Sequence, residues 1–145
     1  MPLIRKFVEN DLEKVHNIAS LSLKEKYPPR LYLSIRRTWG EGFLVAQING
    51  EVVGFICGVK ERGDTTRVLI LAVDPLQRNR GIGSELLKNF IEVSSREGAV
   101  KVTLEVRVGN DRTIRFYQKR GFQIIDRLKS FYSNGEDGYK MIRYL

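Results

Sequence analysis

Cysteine and histidine are almost absent from this sequence of 145 residues, which contains one of each, Cys57 and His16. A single cysteine excludes an internal disulfide framework and a zinc cluster of several thiolates. Cys57 lies in the apolar run Val52 to Val59 and is expected to be a core thiol, because an activated thiolate needs a neighbouring base. With one histidine, one cysteine and no carboxylates clustered at ligand spacing, we expect no metal site.

Long apolar runs are also lacking. The apolar stretches, such as Val68 to Val73 and Ala99 to Val108, have the length of strands and are interrupted by charge, so none can span a bilayer or serve as a signal peptide. We therefore expect a cytoplasmic protein without membrane association. The length, with no linker, internal repeat or low-complexity tract, predicts a single domain over residues 1–145.

Acidic residues are in the minority, since 25 lysines and arginines face 17 aspartates and glutamates and the formal net charge is +8. This excess favours anionic partners, namely a phosphorylated cofactor, an acidic protein surface, or nucleic acid such as the ribosome. The basic residues are spread over Lys24 to Arg37, Arg78 to Arg80 and Arg112 to Lys129, without the aromatic motifs of common RNA-binding modules. Charge alone leaves the three classes open.

Turn residues and apolar spacing predict the elements of the first third of the chain. A strand over Pro2 to Val8 is followed by a helix, for which Asn10 and Glu13 form a capping box. Pro28 and Pro29 separate this helix from a second short one, because proline removes a hydrogen-bond donor. The apolar stripe of the first helix consists of Leu12, Val15, Ile18 and Leu21.

The dipeptide Asn49-Gly50 is the strongest hairpin signal, since both residues tolerate the positive φ of a tight turn. It predicts antiparallel strands over Phe43 to Ile48 and Glu51 to Lys60. Another strand, Thr66 to Asp74, leads into an arginine-rich loop, and the helix after that loop is expected to stop at Gly98.

Strict alternation of apolar and polar residues from Val100 to Val108 predicts a strand with one apolar face. Asn110 caps a helix that runs to about Arg120, and a final hairpin pairs Phe122 to Leu128 with Tyr139 to Leu145. The resulting order, βααβββαβαββ, predicts an α/β domain with a mixed sheet flanked by helices.

The loop before the third helix has the features of an anion site. The first N–H groups of a helix lack partners within the helix, and the helix dipole is positive there. Gly81 and Gly83 allow the backbone to approach a pyrophosphate, and Arg78 and Arg80 add positive charge. Neither the P-loop ending nor the third small residue of a dinucleotide fingerprint is present. The predicted cradle comprises Arg78, Asn79, Arg80, Gly81, Ile82, Gly83 and Ser84.

The pattern Arg78-x-x-Gly81-x-Gly83 after Leu71-Ala72-Val73-Asp74-Pro75 resembles the acyl-CoA motif of the GNAT acetyltransferase superfamily. Within it, Leu104 to Arg107 and Asn110 to Phe122 are similar to the protein N-terminal acetyltransferases of the ribosomal-protein-alanine and Ard1-like type. The resemblance implies a mostly antiparallel GNAT-type sheet, acetyl-CoA as cosubstrate, no metal, and a primary amine as acceptor, foremost the N-terminal α-amino group of a protein.

By the same resemblance, Glu105 is the general base and Tyr117 the general acid. The residues themselves allow plainer interpretations: Glu105 lies on the polar face of its strand, where Lys101 or Arg107 would balance it, and Tyr117 lies three residues after Ile114 on a core-facing stripe. An unperturbed phenol is protonated at neutral pH, so a core aromatic and a proton donor are compatible.

The resemblance also implies binding roles. The backbone of Leu71, Ala72 and Val73 would pair with the pantetheine arm, with the Val73 N–H near the thioester oxygen, although a buried strand alone explains these residues. Asn110 would contact CoA in addition to capping its helix. Two alternatives stay open, a small-molecule amine or lysine side chain as acceptor, and a non-catalytic module that binds CoA or RNA. The acceptor groove would be lined by Tyr27, Pro28, Arg30 and Tyr132.

Overall fold

A computed structural model of the protein describes every residue from Met1 to Leu145. Its helices and strands follow in the order βααβββαβαββ, which confirms the predicted order. None of the helices is long and apolar enough to cross a membrane. The helices are α1 (Leu12–Ser22), α2 (Pro29–Trp39), α3 (Ile82–Arg96) and α4 (Asp111–Gln118). The strands are β1 (Leu3–Lys6), β2 (Leu44–Ile48), β3 (Glu51–Glu61), β4 (Thr65–Val73), β5 (Lys101–Arg107), β6 (Gln123–Leu128) and β7 (Gly138–Tyr144).

All strands belong to one sheet with the spatial order β1-β2-β3-β4-β5-β7-β6. Every neighbouring pair is antiparallel except β4 and β5, so the predicted mixed, mostly antiparallel sheet is confirmed. The final hairpin is present, but its second strand, β7, lies between β5 and β6. As a result, β7 pairs with β5 along its whole length and holds Lys140 opposite Glu105.

Helices cover the sheet on both faces, and each face has its own apolar cluster. On one face, Leu86 and Phe90 of α3 pack against Val102 and Leu104 of β5. On the other, α1 and α2 contribute Val15, Tyr32 and their neighbours to a second cluster around Phe55. Removing a large apolar side chain from water contributes about 1.5–3 kcal/mol, so these clusters hold both helical layers on the sheet.

A β-bulge in β4 lies at the point where β4 and β5 separate. Cys57 pairs with Ile70 and Gly58 with Val68, which leaves Leu69 without a partner on β3. A side chain at Gly58 would collide with the carbonyl of Arg67 and the ring of Phe90. Because a bulge bends its strand and increases the local twist, β4 turns away from β5 beyond Arg67. Their parallel ladder covers only Thr65–Arg67 and Lys101–Thr103.

Local turn chemistry is largely as predicted. Asn49 and Gly50 have φ values of 50° and 81°, as the tight hairpin requires. Asn110 caps α4, its side-chain oxygen accepting the Thr113 N–H at 3.2 Å. The strand predicted from Val100 to Val108 is shorter by one residue at each end.

Two predictions about α1 are wrong. The helix is preceded by a 3₁₀ turn over Glu9–Asp11, and Asp11, not Asn10, stabilises it by accepting the Val8 N–H at 2.9 Å and two hydrogen bonds from Arg5. Leu21 is 70% exposed, because the buried stripe runs through Val15, Ile18 and Ala19. At about 100° per residue, Leu21 lies roughly 240° around the helix from Val15.

Candidate active site

The divergence of β4 and β5 opens a cavity of about 680 Å³ between them. Its walls come from the open edge of β4, the start of α3, the outer half of β5 and helix α4. Leu71, Ala72 and Val73 line it along β4. Since β5 no longer pairs with this part of β4, the strand edge is free to accept an extended ligand.

The predicted phosphate cradle forms one end of the cavity. Gly81 precedes α3 with a φ of 77°, and the first bond of the helix runs from the Glu85 N–H to the Gly81 carbonyl. The N–H groups of Ile82, Gly83 and Ser84 therefore precede the helical hydrogen-bond ladder. A Cβ on Gly83 would meet Phe116 and Val73 only at 3.7 Å, so packing does not require glycine there.

Arginines surround this end of the cavity, but not all of those expected. Arg78 and Asn79 line the cavity, whereas Arg80 does not. Two further arginines, which the sequence reasoning missed, come from α4 and the residues after it. Arg112 donates to the Asn79 side chain at 3.0 Å, and Arg120 donates to the Ser84 hydroxyl at 3.1 Å. The sequence did contain a signal for these two arginines, because basic side chains recur every three to five residues along this segment.

Glu105 lines the middle of the cavity, and its side chain is only 10% exposed. Its partner is neither Lys101 nor Arg107 but Arg67 of β4, whose Nε and Nη2 donate to Oε1 at 3.0 and 2.9 Å. Both bonds use the same oxygen, so Oε2 is left without a protein donor. The local sequence carried no signal for Arg67, because the pair depends on the register of the short parallel ladder.

Tyr117 lines the cavity from α4. Its ring packs edge-on against Phe116 and Phe122, at centroid distances of 5.1 and 5.5 Å, and its hydroxyl donates to no other residue. Burial raises the pKa of this phenol well above its ordinary value. Tyr117 is therefore both a core aromatic and a protonated donor at neutral pH.

The other end of the cavity is formed by the loops between α1 and α2 and between β6 and β7. Tyr27 and Tyr132, which were predicted to bind the acceptor, both line this end, and Asn110 lines the same cavity near α4. Pro28 and Arg30 do not line it and are exposed, since α2 starts at Pro29 and turns the chain away.

Arg107 connects these two loops and was missed as a site residue. Its guanidinium lies 4.0 Å from the ring centre of Tyr132 and donates to Glu136 at 3.0 Å and Glu25 at 3.3 Å. Glu25 also accepts the Ser133 hydroxyl at 2.7 Å. We name this group, Glu25, Arg107, Ser133 and Glu136, the loop clasp. The sequence feature that could have indicated this group was Glu25, the acidic residue two positions before Tyr27.

The contacts of the loop clasp shift the pKa values of its carboxylates. Hydrogen bonds from Ser133, with a smaller contribution from Arg107, lower the pKa of Glu25. The Asn134 side chain and the nearby Lys24 and Arg107 lower the pKa of Glu136. Burial raises the pKa of Tyr132 to about 12 against the opposing effect of Arg107. At neutral pH the loop clasp thus presents two ionised carboxylates, and Tyr132 beside it is a neutral phenol.

Comparison with known proteins agrees with this geometry. Residues 11–122 match the acetyltransferase (GNAT) family. The chain is 33% identical over 143 residues to an N-alpha-acetyltransferase of Sulfurisphaera tokodaii, covering 90% of this chain and 86% of that protein. The crystal structure of Ard1 from Thermoplasma volcanium matches with a TM-score of 0.97 at 41% identity, covering 99% of this chain and 97% of that one. Arabidopsis thaliana Naa50 in complex with the bisubstrate analogue CoA-Ac-MVNAL matches with a TM-score of 0.89 at 25% identity, covering 99% of each chain.

The sheet of this chain splays open between β4 and β5, and a glycine turn and helix start lie at one end of the opening. The chain belongs to the acetyltransferase (GNAT) family, which confirms the family predicted from Arg78 to Ser84.

Proposed function

We propose that this protein transfers the acetyl group of acetyl-CoA to the N-terminal α-amino group of a polypeptide. One observation carries the proposal: a single cavity joins a helix start suited to an anion, the carboxylate of Glu105 and the phenol of Tyr117, and a mouth lined by Tyr27, Tyr132 and Glu25. The relatives named N-alpha-acetyltransferase and Naa50 support the choice of acceptor. A cationic ammonium group suits the Glu25 carboxylate at this mouth, as a pyrophosphate suits the other end.

The cofactor end is proposed to bind acetyl-CoA without a metal ion. The backbone N–H groups of Ile82, Gly83 and Ser84 would receive the pyrophosphate, with charge from Arg78 and from Arg112 beside Asn79. The open edge of β4 at Leu71 to Val73 would pair with the pantetheine arm. Bound in this direction, the thioester would lie in the part of the cavity that Glu105 and Tyr117 line.

Each proposed chemical role has a group in the cavity. The free Oε2 of Glu105 would accept a proton from the acceptor ammonium, directly or through a water, and release the neutral amine for attack on the thioester carbon. The Val73 N–H would stabilise charge on the carbonyl oxygen. As the carbon–sulfur bond breaks, the protonated Tyr117 would donate its proton to the departing thiolate. The nitrogen would lose a second proton as the amide forms, and that proton would restore Tyr117 directly or through a water, while the proton first taken by Glu105 would pass to solvent.

Transfer of a radiolabelled acetyl group to peptides with varied first residues tests the proposal, with polyamines and peptides bearing only a lysine amine alongside. Glu105→Gln and Tyr117→Phe are expected to reduce kcat by about 10²-fold or more. Glu61→Gln is the matched control, since Glu61 also contacts Arg67, at 3.6 Å, but does not line the cavity. If only polyamines or lysine amines are labelled, the acceptor is not an α-amino group. CoA binding without any transfer would favour a non-catalytic module.

Two further parts of the proposal concern the whole chain. Residues 1–145 are proposed to act as one catalytic domain, because the acceptor mouth is built from both halves of the chain, at Tyr27 and Tyr132. Association with the ribosome rests on the exposed arginines of α2, Arg30, Arg36 and Arg37, which have no carboxylate within 4.0 Å. Salt-dependent co-sedimentation that is lost in Arg36→Glu/Arg37→Glu would support it, and unchanged co-sedimentation would count against it.

A further inference from the structure

The last residue of α1, Ser22, contacts the open edge of β4. Its hydroxyl donates to the Val73 carbonyl at 3.1 Å, although the two residues are 51 positions apart in the sequence. Serine and threonine in a helix often donate to the carbonyl four residues earlier, as the hydroxyls of Thr38 and Ser94 do here. Ser22 therefore makes a tertiary contact in place of this local bond.

The backbone of β4 shows which side of the strand Ser22 contacts. Val73 lies opposite Gly54 of β3, but it is Asp74 that donates to β3, through a 2.8 Å bond from its N–H to the Val53 carbonyl. Successive residues of a strand direct their N–H and C=O groups to opposite edges, so both groups of Val73 point away from β3. The hydroxyl of Ser22 is thus on the same edge of β4 as the Val73 N–H.

Ser22 lies at the boundary between the two ends of the cavity. It lines the cavity next to Val73, whose N–H is the proposed donor to the thioester oxygen, and Glu25 and Tyr27 of the following loop line the acceptor end. The residue is partly exposed, so its oxygen is accessible to a ligand in the cavity. Under the proposed function, the acetyl group and the acceptor amine would meet at this boundary.

The hydrogen bond to Val73 restricts what the hydroxyl of Ser22 can do toward an amine. Its one hydrogen is used in that bond, and the oxygen remains as a hydrogen-bond acceptor. It can accept an N–H of the acceptor group but cannot donate to the lone pair of the nitrogen. After Glu105 has taken a proton, the lone pair therefore stays free to attack the thioester carbon.

The distances around Val73 are compatible with such a contact. The N and O atoms of one extended residue are about 3 Å apart, and the Ser22 Oγ lies 3.1 Å from the Val73 oxygen. Ser22 Oγ is therefore within roughly 6 Å of the Val73 nitrogen. A carbonyl oxygen held about 3 Å from that nitrogen, and an amine about 3–3.5 Å from the carbonyl carbon, would occupy the same small region.

We propose that the Ser22 oxygen accepts a hydrogen bond from the α-amino group of the acceptor and orients this group toward the thioester. The inference rests on the proposed function and adds to it a residue that binds the reacting nitrogen. Glu105 would take one hydrogen of the ammonium group, and Ser22 would hold one of those that remain. Ser22 itself would neither gain nor lose a proton.

Binding of two peptides to the CoA-saturated protein tests the inference without turnover. One peptide has a free α-amino group, and its des-amino analogue carries hydrogen in place of that group and is otherwise identical. In calorimetric titrations, Ser22→Ala should weaken binding of the amino peptide about tenfold and leave the des-amino peptide unchanged, because only the amino group contacts Ser22. Ser22→Thr retains the hydroxyl and should preserve the preference for the amino peptide.

Ser20→Ala is the matched control, and it should change neither affinity. Ser20 lies in the same helix but is exposed and does not line the cavity. The ratio of the two affinities is compared within each variant, so a general disturbance of the acceptor end cancels. Thermal unfolding of each variant shows that the fold is retained.

The outcomes separate this inference from the proposed function. If no peptide receives the labelled acetyl group although CoA binds, the proposed function fails. If peptides are labelled but Ser22→Ala weakens both peptides equally, or neither of them, the Ser22 inference alone is overturned. A loss of CoA affinity in Ser22→Ala, without a change in the peptide ratio, would assign the hydroxyl to the cofactor end and would also overturn it.

Discussion

Arg67 donates two hydrogen bonds to a single carboxylate oxygen of Glu105, across the only parallel ladder of the sheet. A guanidinium that binds one oxygen through Nε and Nη2 fixes the rotation of the carboxyl group. It also leaves the second oxygen of this cavity-lining residue without a hydrogen bond from the protein. We therefore expect Arg67 to position the base.

Replacing Arg67 with glutamine should reduce kcat by roughly tenfold while leaving the KM for acetyl-CoA unchanged, because the misplaced carboxylate loses its alignment with the amine. Arg67→Lys should recover part of the rate but not the two-bond geometry. Steady-state kinetics over a range of pH measures both variants. Equal kcat values for the wild type and Arg67→Gln would rule out a positioning role.

The loop clasp predicts a pH dependence of acceptor binding. The pKa of Glu25 is held below its ordinary value of 4.5, so the clasp is complete above that pH and weakens as pH falls through the lowered pKa. The KM for a peptide acceptor should therefore rise under acidic conditions, while the affinity for CoA stays constant. Glu25→Gln should abolish this acidic rise and raise KM at neutral pH. A pH-independent KM in the wild type would contradict the prediction.

Gly81 and Gly83 should respond differently to alanine. Gly81 has a φ of 77°, so Gly81→Ala should cost about 1–2 kcal/mol of unfolding free energy as well as CoA affinity. A Cβ at Gly83 makes only an ordinary contact at 3.7 Å, so Gly83→Ala should retain stability and lose CoA affinity by obstructing the approach of the pyrophosphate. Thermal unfolding and calorimetric titration with CoA separate the two effects. Unchanged CoA affinity in Gly83→Ala would place the pyrophosphate elsewhere.

Tyr117 gives a prediction about the alkaline side of the rate profile. Because burial raises the pKa of its phenol above the ordinary value of 10.0, kcat should show no alkaline decline from Tyr117 up to about that pH. Tyr117→Phe should lower kcat yet unfold within about 0.5 kcal/mol of the wild type, since the hydroxyl makes no bond to another residue. A large loss of stability would indicate that the hydroxyl has a structural role instead.

Several features of the molecule were readable from short stretches of sequence. The Asn49-Gly50 turn, the Asn110 cap and the glycine turn before α3 each depend on the conformational preferences of a few consecutive residues. Alternation placed Glu105 on the polar face of β5 for the same reason. The glycine turn at the start of α3 and the family were therefore predictable, whereas Arg80, predicted as part of the phosphate cradle, does not line the cavity.

Other features depend on how distant segments meet. Glu105 and Arg67 are 38 positions apart, and Arg107 and Glu25 are 82 apart, so no local pattern relates them. The sequence by itself determined the order of the elements and the glycine turn that starts α3, because turns, caps and periodicity are set by neighbouring residues. The tertiary structure alone decided the bulge at Leu69, the insertion of β7 beside β5 and the partners of Glu105 and Arg107, because sheet register is a property of the packed whole.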